Sequence, residues 1–150
     1  MSVAFAFLHH LAAFVLLAAL FLELVLVKGE LTAWSARKIL LYDRVYGIAA
    51  GVLLIAGSLR VAYFEKGAHY YFHNLAFLVK ISLFVLVCLV SIYPTREFLS
   101  WRAALGQERV PVLDERRRRR ISFMIHGELT GVALIMLCAA LMAKGVGSFS

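Results

Sequence analysis

SVAFAFLHHLAAFVLLAALFLELVLV, residues 2–27, is one apolar run, longer than the ~20 residues a helix needs to cross the hydrocarbon core of a bilayer. His9, His10 and Glu23 lie inside it. A secretory signal would carry a basic start and a small-residue cleavage site; this segment has neither and is too long, so it reads as a membrane span. Three more runs of the same kind follow at 45–64, 74–93 and 121–143. With 63% hydrophobic residues and a mean hydropathy of +0.85, most of the chain has no place on a water-facing surface. The expected fold is all-α: one membrane domain, an integral four-helix bundle, because only helices and closed barrels satisfy their backbone in lipid. These 150 residues leave no room for a separate soluble domain.

The arginines orient that bundle. The connection between spans three and four holds Arg96, Arg102, Arg109 and the run from Arg116 to Arg120. The first connection holds Lys28, Arg37 and Lys38, and the second little beyond Lys66. Basic loops stay cytoplasmic, so both termini are expected outside, in a multi-pass protein of the bacterial inner membrane. The arginine run reads as a topology anchor, with Asp114 capping span four; anionic lipid, nucleic acid and a soluble partner are its competing readings, and no nucleic-acid partner is assigned.

Local signals fill in the connections. Residues 94–105, PTREFLSWRAAL, read as an amphipathic helix along the interface, with Tyr93 and Trp101 as an aromatic belt. Thr32 is expected to cap a helix that runs through ARKILLYDRVYG into span two without a break, and Gly29 to close span one. Gly47 with Gly51, and Gly127 with Gly131, have the spacing of packing seams, within the bundle or in a homodimer. Cys88 and Cys138 fall on the order of 15 Å apart along the membrane normal at ~1.5 Å per residue, too far for a disulfide.

Charge inside a membrane is expensive and marks a functional pocket by default. The ionisable residues sort by depth. Toward the outer side lie His9, His10, Arg60, His73 and Lys80, almost all basic or imidazole; toward the inner side lie Glu23, Arg44, His126 and Glu128, whose two signs allow mutual neutralisation. His73, Phe77, Lys80, Phe84, Val87 and Ser91 share one stripe of span three, which is expected to face the bundle interior. A ligand that is large, apolar, anionic and partial to imidazole fits the outer group. Haem b meets these conditions: His10 or His9 binds the iron, Lys80 and Arg60 pair with the propionates, and Phe14, Phe77 and Phe84 flank the macrocycle. Such a protein would be a redox protein in which Glu23, Arg44, His126 and Glu128 relay protons. His69 and His73, four apart, offer a divalent metal site as a further reading. Two other classes compete. One is a small proton or anion transporter without a chromophore, dimeric through its glycine pairs. The other is an assembly factor that recruits a partner through its arginine-rich loop.

An early His in span one, Arg44-x-Tyr46 followed by Gly51, the intramembrane Lys80 and the early Glu128 of span four resemble the small bacterial membrane family that includes the quinone-linked protoporphyrinogen IX oxidase. FLVKISLFVLVCLVSIYPTREFLSW, residues 77–101, resembles an uncharacterised branch of bacterial membrane proteins, and the copper-resistance membrane family is a more distant likeness. The oxidase resemblance implies a four-helix bundle with haem b on His10, Lys80 and Glu128 as the catalytic groups, and electrons passing from a porphyrin to quinone.

Overall fold

The computed structural model describes residues 3–59 and 75–144. They form four long helices and one short one: α1 Val3–Lys28, α2 Ala33–Leu59, α3 Leu75–Ser100, α4 Arg102–Gly106 and α5 Glu115–Ala143. The long four are each apolar enough and long enough to cross a membrane. At ~1.5 Å per residue the shortest is about 39 Å long, which covers a hydrocarbon core of ~30 Å with about three residues to spare at each end.

The helices pair as two antiparallel hairpins, α1 with α2 and α3 with α5. The hairpins dock through α1 against α5 and, more lightly, α2 against α3. This up-and-down circuit places α1 and α3 diagonally across the bundle. The buried residues of each helix repeat at helical spacing: Leu16, Leu20, Glu23 and Val27 on α1; Ala36, Ile39, Asp43 and Tyr46 on α2; Phe77, Val87, Pro94 and Phe98 on α3; Ile121, Ile125, Glu128 and Val132 on α5. The fully buried large side chains, among them Phe98, Leu20, Ile39, Ile121 and Ile125, gather toward the arginine-bearing end. Apolar side chains such as Phe7, Phe14, Ile55 and Phe123 point outward, as lipid contact requires.

The helix ends follow the chemistry expected of them. Thr32 Oγ1 accepts from the Ser35 amide at 3.1 Å, and Ser35 Oγ accepts in return from the Thr32 amide at 2.8 Å. This reciprocal cap starts α2 well before the apolar run, and the helix continues unbroken into the membrane. Gly29 follows the last residue of α1 and its amide reaches the Val25 carbonyl at 3.1 Å. Asp114 caps α5 by accepting from the Arg117 amide at 2.8 Å.

Residues 94–105 depart from the expected interfacial helix. α3 passes straight through Pro94 to Ser100, and only a single turn, α4, follows. The missing amide of Pro94 frees one carbonyl, a loss that membrane helices tolerate when packed against neighbours. Trp101 is not part of a belt: it is 3% exposed and packs in the core with its ring 5.1 Å from that of Phe98, the planes tilted by 58°. Tyr93 carries the Arg120 guanidinium over its ring at 4.7 Å. The glycine pairs also divide. A methyl group built on Gly131 would fall 2.5 Å from Val87 Cγ2, so α3 and α5 touch there; Gly47, Gly51 and Gly127 meet nothing within 4 Å and form no seam inside the bundle.

Candidate functional site

Three carboxylic acids from three helices lie within electrostatic range of one another inside the arginine-side half of the bundle. Glu23 of α1 and Glu128 of α5 are each 2% exposed, and Asp43 of α2 is 8% exposed. Asp43 and Glu128 are the charges that act on Glu23, and Asp43 also acts on Glu128. Each acid occupies a core position on its helix, where the apolar stripe would otherwise continue. Glu23 lies five residues before Lys28, about 8 Å from that end of α1 at ~1.5 Å per residue, and Glu128 about 12 Å beyond Arg120.

Hydroxyl groups line the cluster. Thr95 Oγ1 donates to Asp43 Oδ1 at 2.6 Å, tying α2 to α3 one residue after Pro94. The Tyr46 hydroxyl, one turn deeper on α2, is near Ser91 and Glu128, and Ser91 Oγ donates to the Cys88 carbonyl at 2.8 Å. Arg102 acts on Asp43 from the loop side. Among the described residues no ion pair reaches any of the three acids, and Glu23 Oε1 and Glu128 Oε1 are buried with no hydrogen-bond partner. Ordered by depth, the polar groups run inward from Arg102 through Asp43 and Thr95 to the two glutamates, then to Tyr46 and Ser91, with Thr95–Asp43 as the hydrogen bond that joins two of them.

The mixed-sign inner group expected from the sequence is divided by the fold. Arg44 and His126 lie on the exposed faces of their helices. His126 receives a hydrogen bond at Nε2 from Lys28 Nζ at 3.3 Å and donates from Nδ1 to the Ser122 carbonyl at 2.6 Å, the tautomer that this pair of contacts requires. Glu23 and Glu128 therefore face Asp43 and each other instead of a base. Asp43 and Thr95 escaped the sequence reading because both fell outside its inner group. The signal was present in the apolar repeat Ala36, Ile39, Tyr46 and Ala49, into which Asp43 fits and Arg44 does not.

The outer group is dispersed over different faces. His10 is exposed, with Nδ1 bonded to the Ala6 carbonyl at 2.7 Å, and its ring stands edge-on to that of half-buried His9 at 6.0 Å. Phe14 points outward at 70% exposure. Phe77 is buried on the inward stripe of α3, and Lys80, Phe84 and Ser91 are half-buried along it, as the spacing predicted. His10 and Lys80 stand on the diagonal pair α1 and α3, so the bundle does not pack their helices face to face. Arg60, His69 and His73 lie outside the described residues, as do 60–64 of the second predicted span. Among the described residues no three His, Cys, Asp or Glu side chains are grouped to hold a metal ion.

This bundle matches one family profile over residues 1–147, that of Predicted membrane protein (DUF2214). The chain belongs to that family. It is a multi-pass membrane protein by family and by its four candidate spans. No curated protein and no solved structure matches it, so neither the oxidase nor the copper-resistance likeness gains support from these comparisons.

Proposed function

We propose that this protein is a small membrane proton carrier whose protonation site is the cluster of Glu23, Asp43 and Glu128. The observation behind this reading is the convergence of three buried acids from three helices, none in an ion pair among the described residues and with Arg102 acting on Asp43 alone. An ionised carboxyl costs about 2.5–3.5 kcal/mol at the centre of a membrane helix and less toward its ends. Like charges within range of one another add to that cost, so ionising all three acids at once is disfavoured. A group that must gain or lose protons to stay buried is suited to couple proton binding to helix movement. Asp43, beside Thr95 and Arg102, is the member placed to exchange protons with the loop side, and Tyr46 with Ser91 extends the run of polar groups one turn deeper. Beyond Ser91 the α3 stripe turns apolar at Val87 and Phe84 before it reaches Lys80, about 16 Å away along the helix. A site with polar access from one side and an apolar barrier on the other fits a carrier better than an open channel.

The test is proton uptake by pyranine-loaded proteoliposomes after an acid pulse. Wild-type protein is expected to acidify the lumen well above protein-free liposomes, and Glu23→Gln and Glu128→Gln to reduce that rate by on the order of tenfold or more. Wild-type flux at the liposome baseline, or glutamine variants with wild-type flux, would overturn the reading. Haem b is the second reading, and it would use His9 or His10 with Lys80 and Phe77. The visible spectrum of the purified, dithionite-reduced protein decides it: α and β bands lost in His9→Ala or His10→Ala would establish haem b.

A further inference from the structure

At the arginine-bearing end, the first turns of α5 and the end of α1 border an open groove of about 420 Å³ lined by Lys28, Glu115, Arg118, Arg119, Ser122, Phe123 and His126. The five consecutive arginines do not share one fate. Arg117 reaches Glu97 at 3.4 Å and Asp114 at 3.3 Å, and Arg120 covers Tyr93. Helical geometry turns Arg118 and Arg119 toward the groove, on the same side as Ser122 and His126.

The groove is built to receive negative charge. It gathers three permanent cations against one carboxylate, and Glu115 is already engaged by Arg119 Nε at 3.0 Å and approached by Arg118 Nε at 4.0 Å. Arg118 is anchored through its terminal nitrogen to the Gly29 carbonyl at 3.1 Å, while its Nε is buried and makes no hydrogen bond. His126, with Nδ1 committed to Ser122, presents the Nε2 lone pair to Lys28 and so holds that ammonium over the groove. On the membrane side the wall continues into Phe123, which is 79% exposed. Cationic donors and an apolar wall in one groove, at the level where helix meets interface, match a ligand that is itself anionic at one end and apolar at the other.

We propose that this groove binds an anionic phospholipid, its headgroup phosphate held by Lys28, Arg118 and Arg119, with Ser122 as hydroxyl donor and Phe123 against the acyl chain. The arginine run then has two separate tasks, since Arg116 and Arg117 lie outside the groove and remain free to orient the chain.

The experiment is native mass spectrometry of the delipidated full chain in detergent, where membrane orientation plays no part, titrated with phosphatidylglycerol or phosphatidylcholine and challenged with inorganic phosphate. Wild-type protein is expected to retain phosphatidylglycerol at least tenfold more tightly than phosphatidylcholine and not to release it to inorganic phosphate. Each groove cation removed is expected to weaken binding about fivefold, so Lys28→Gln/Arg119→Gln loses on the order of 25-fold. Arg96→Gln/Arg116→Gln, which removes two charges outside the groove, is expected to leave binding unchanged. Arg119→Gln alone, at a side chain 80% exposed and so without consequence for packing, is expected to show the fivefold loss by itself. Equal losses in the two double variants would mean diffuse electrostatics and overturn the site. Equal retention of the two lipids, or release by inorganic phosphate, would overturn the lipid assignment.

Discussion

Gly131 and Gly127 sit four residues apart on α5 with the same side chain and opposite surroundings. In lipid there is little hydrophobic force to press helices together, so association rests on close packing and on hydrogen bonds. Gly131 supplies the first where Val87 leaves no room for a methyl group; Val is stiff at its first side-chain torsion, so it cannot swing aside without strain. Gly131→Ala is expected to destabilise the bundle by about 1–3 kcal/mol. Gly127→Ala, which meets open space, is expected to be neutral or to gain up to about 1 kcal/mol from helix propensity. Unfolding of the two variants in mixed micelles, read by circular dichroism, checks the difference. Thr95 and Asp43 supply the second kind of contact, a side-chain hydrogen bond between helices whose donor and acceptor are 52 positions apart.

The elements owe their limits to a few polar residues, because apolar periodicity alone runs past them. α5 begins where Asp114 turns the chain out of an extended conformation and accepts the Arg117 amide. The four first amides of any helix lack partners, and a capping oxygen is worth about 1 kcal/mol. Asp114→Ala is accordingly expected to cost about 1 kcal/mol and to speed hydrogen exchange at the Arg117 amide, whereas Asp114→Asn retains protection. Faster exchange in both variants, or in neither, would show that the first turn is held by the arginine contacts instead. α3 shows the converse, a proline that does not end its helix: Pro94 is buried, and the chain stays helical until the turn at Trp101.

For the whole molecule, charge and packing act on different axes. The basic loops fall together at one end of the bundle, since α1 ends and α2 begins there, as do α3 and α5. By the positive-inside rule that end is expected to face the cytoplasm. With Cys88 and Cys138 replaced by Ala, cysteine introduced at Ser2 or Ser148 should react with a membrane-impermeant maleimide on intact cells, and cysteine at Gln107 only after lysis. The reverse pattern would invert the bundle, and with it the side from which the acid cluster takes protons. The acid cluster and the lipid groove belong to the same half of the molecule but to opposite faces of α5: Ile121, Ile125 and Glu128 turn inward, Ser122 and His126 outward.

The sequence by itself determined the class, the count of four candidate spans and the helix ends at Gly29, Thr32 and Asp114, because transfer of apolar side chains into lipid and capping act locally and are legible in composition and spacing. It also marked Glu23 and Glu128 as costly and the Phe77–Ser91 stripe as inward-facing. Which charges meet was decided only by the tertiary structure. Glu23, Asp43 and Glu128 are brought together by the rotation of three helices about their axes, and a rotation of about 100° per residue separates Asp43 in the core from Arg44 at the surface. The same rotation sends His126 to Lys28 and Phe14 to the outside, and a one-dimensional depth count cannot register it, because depth along a helix says nothing of the direction in which a side chain leaves it.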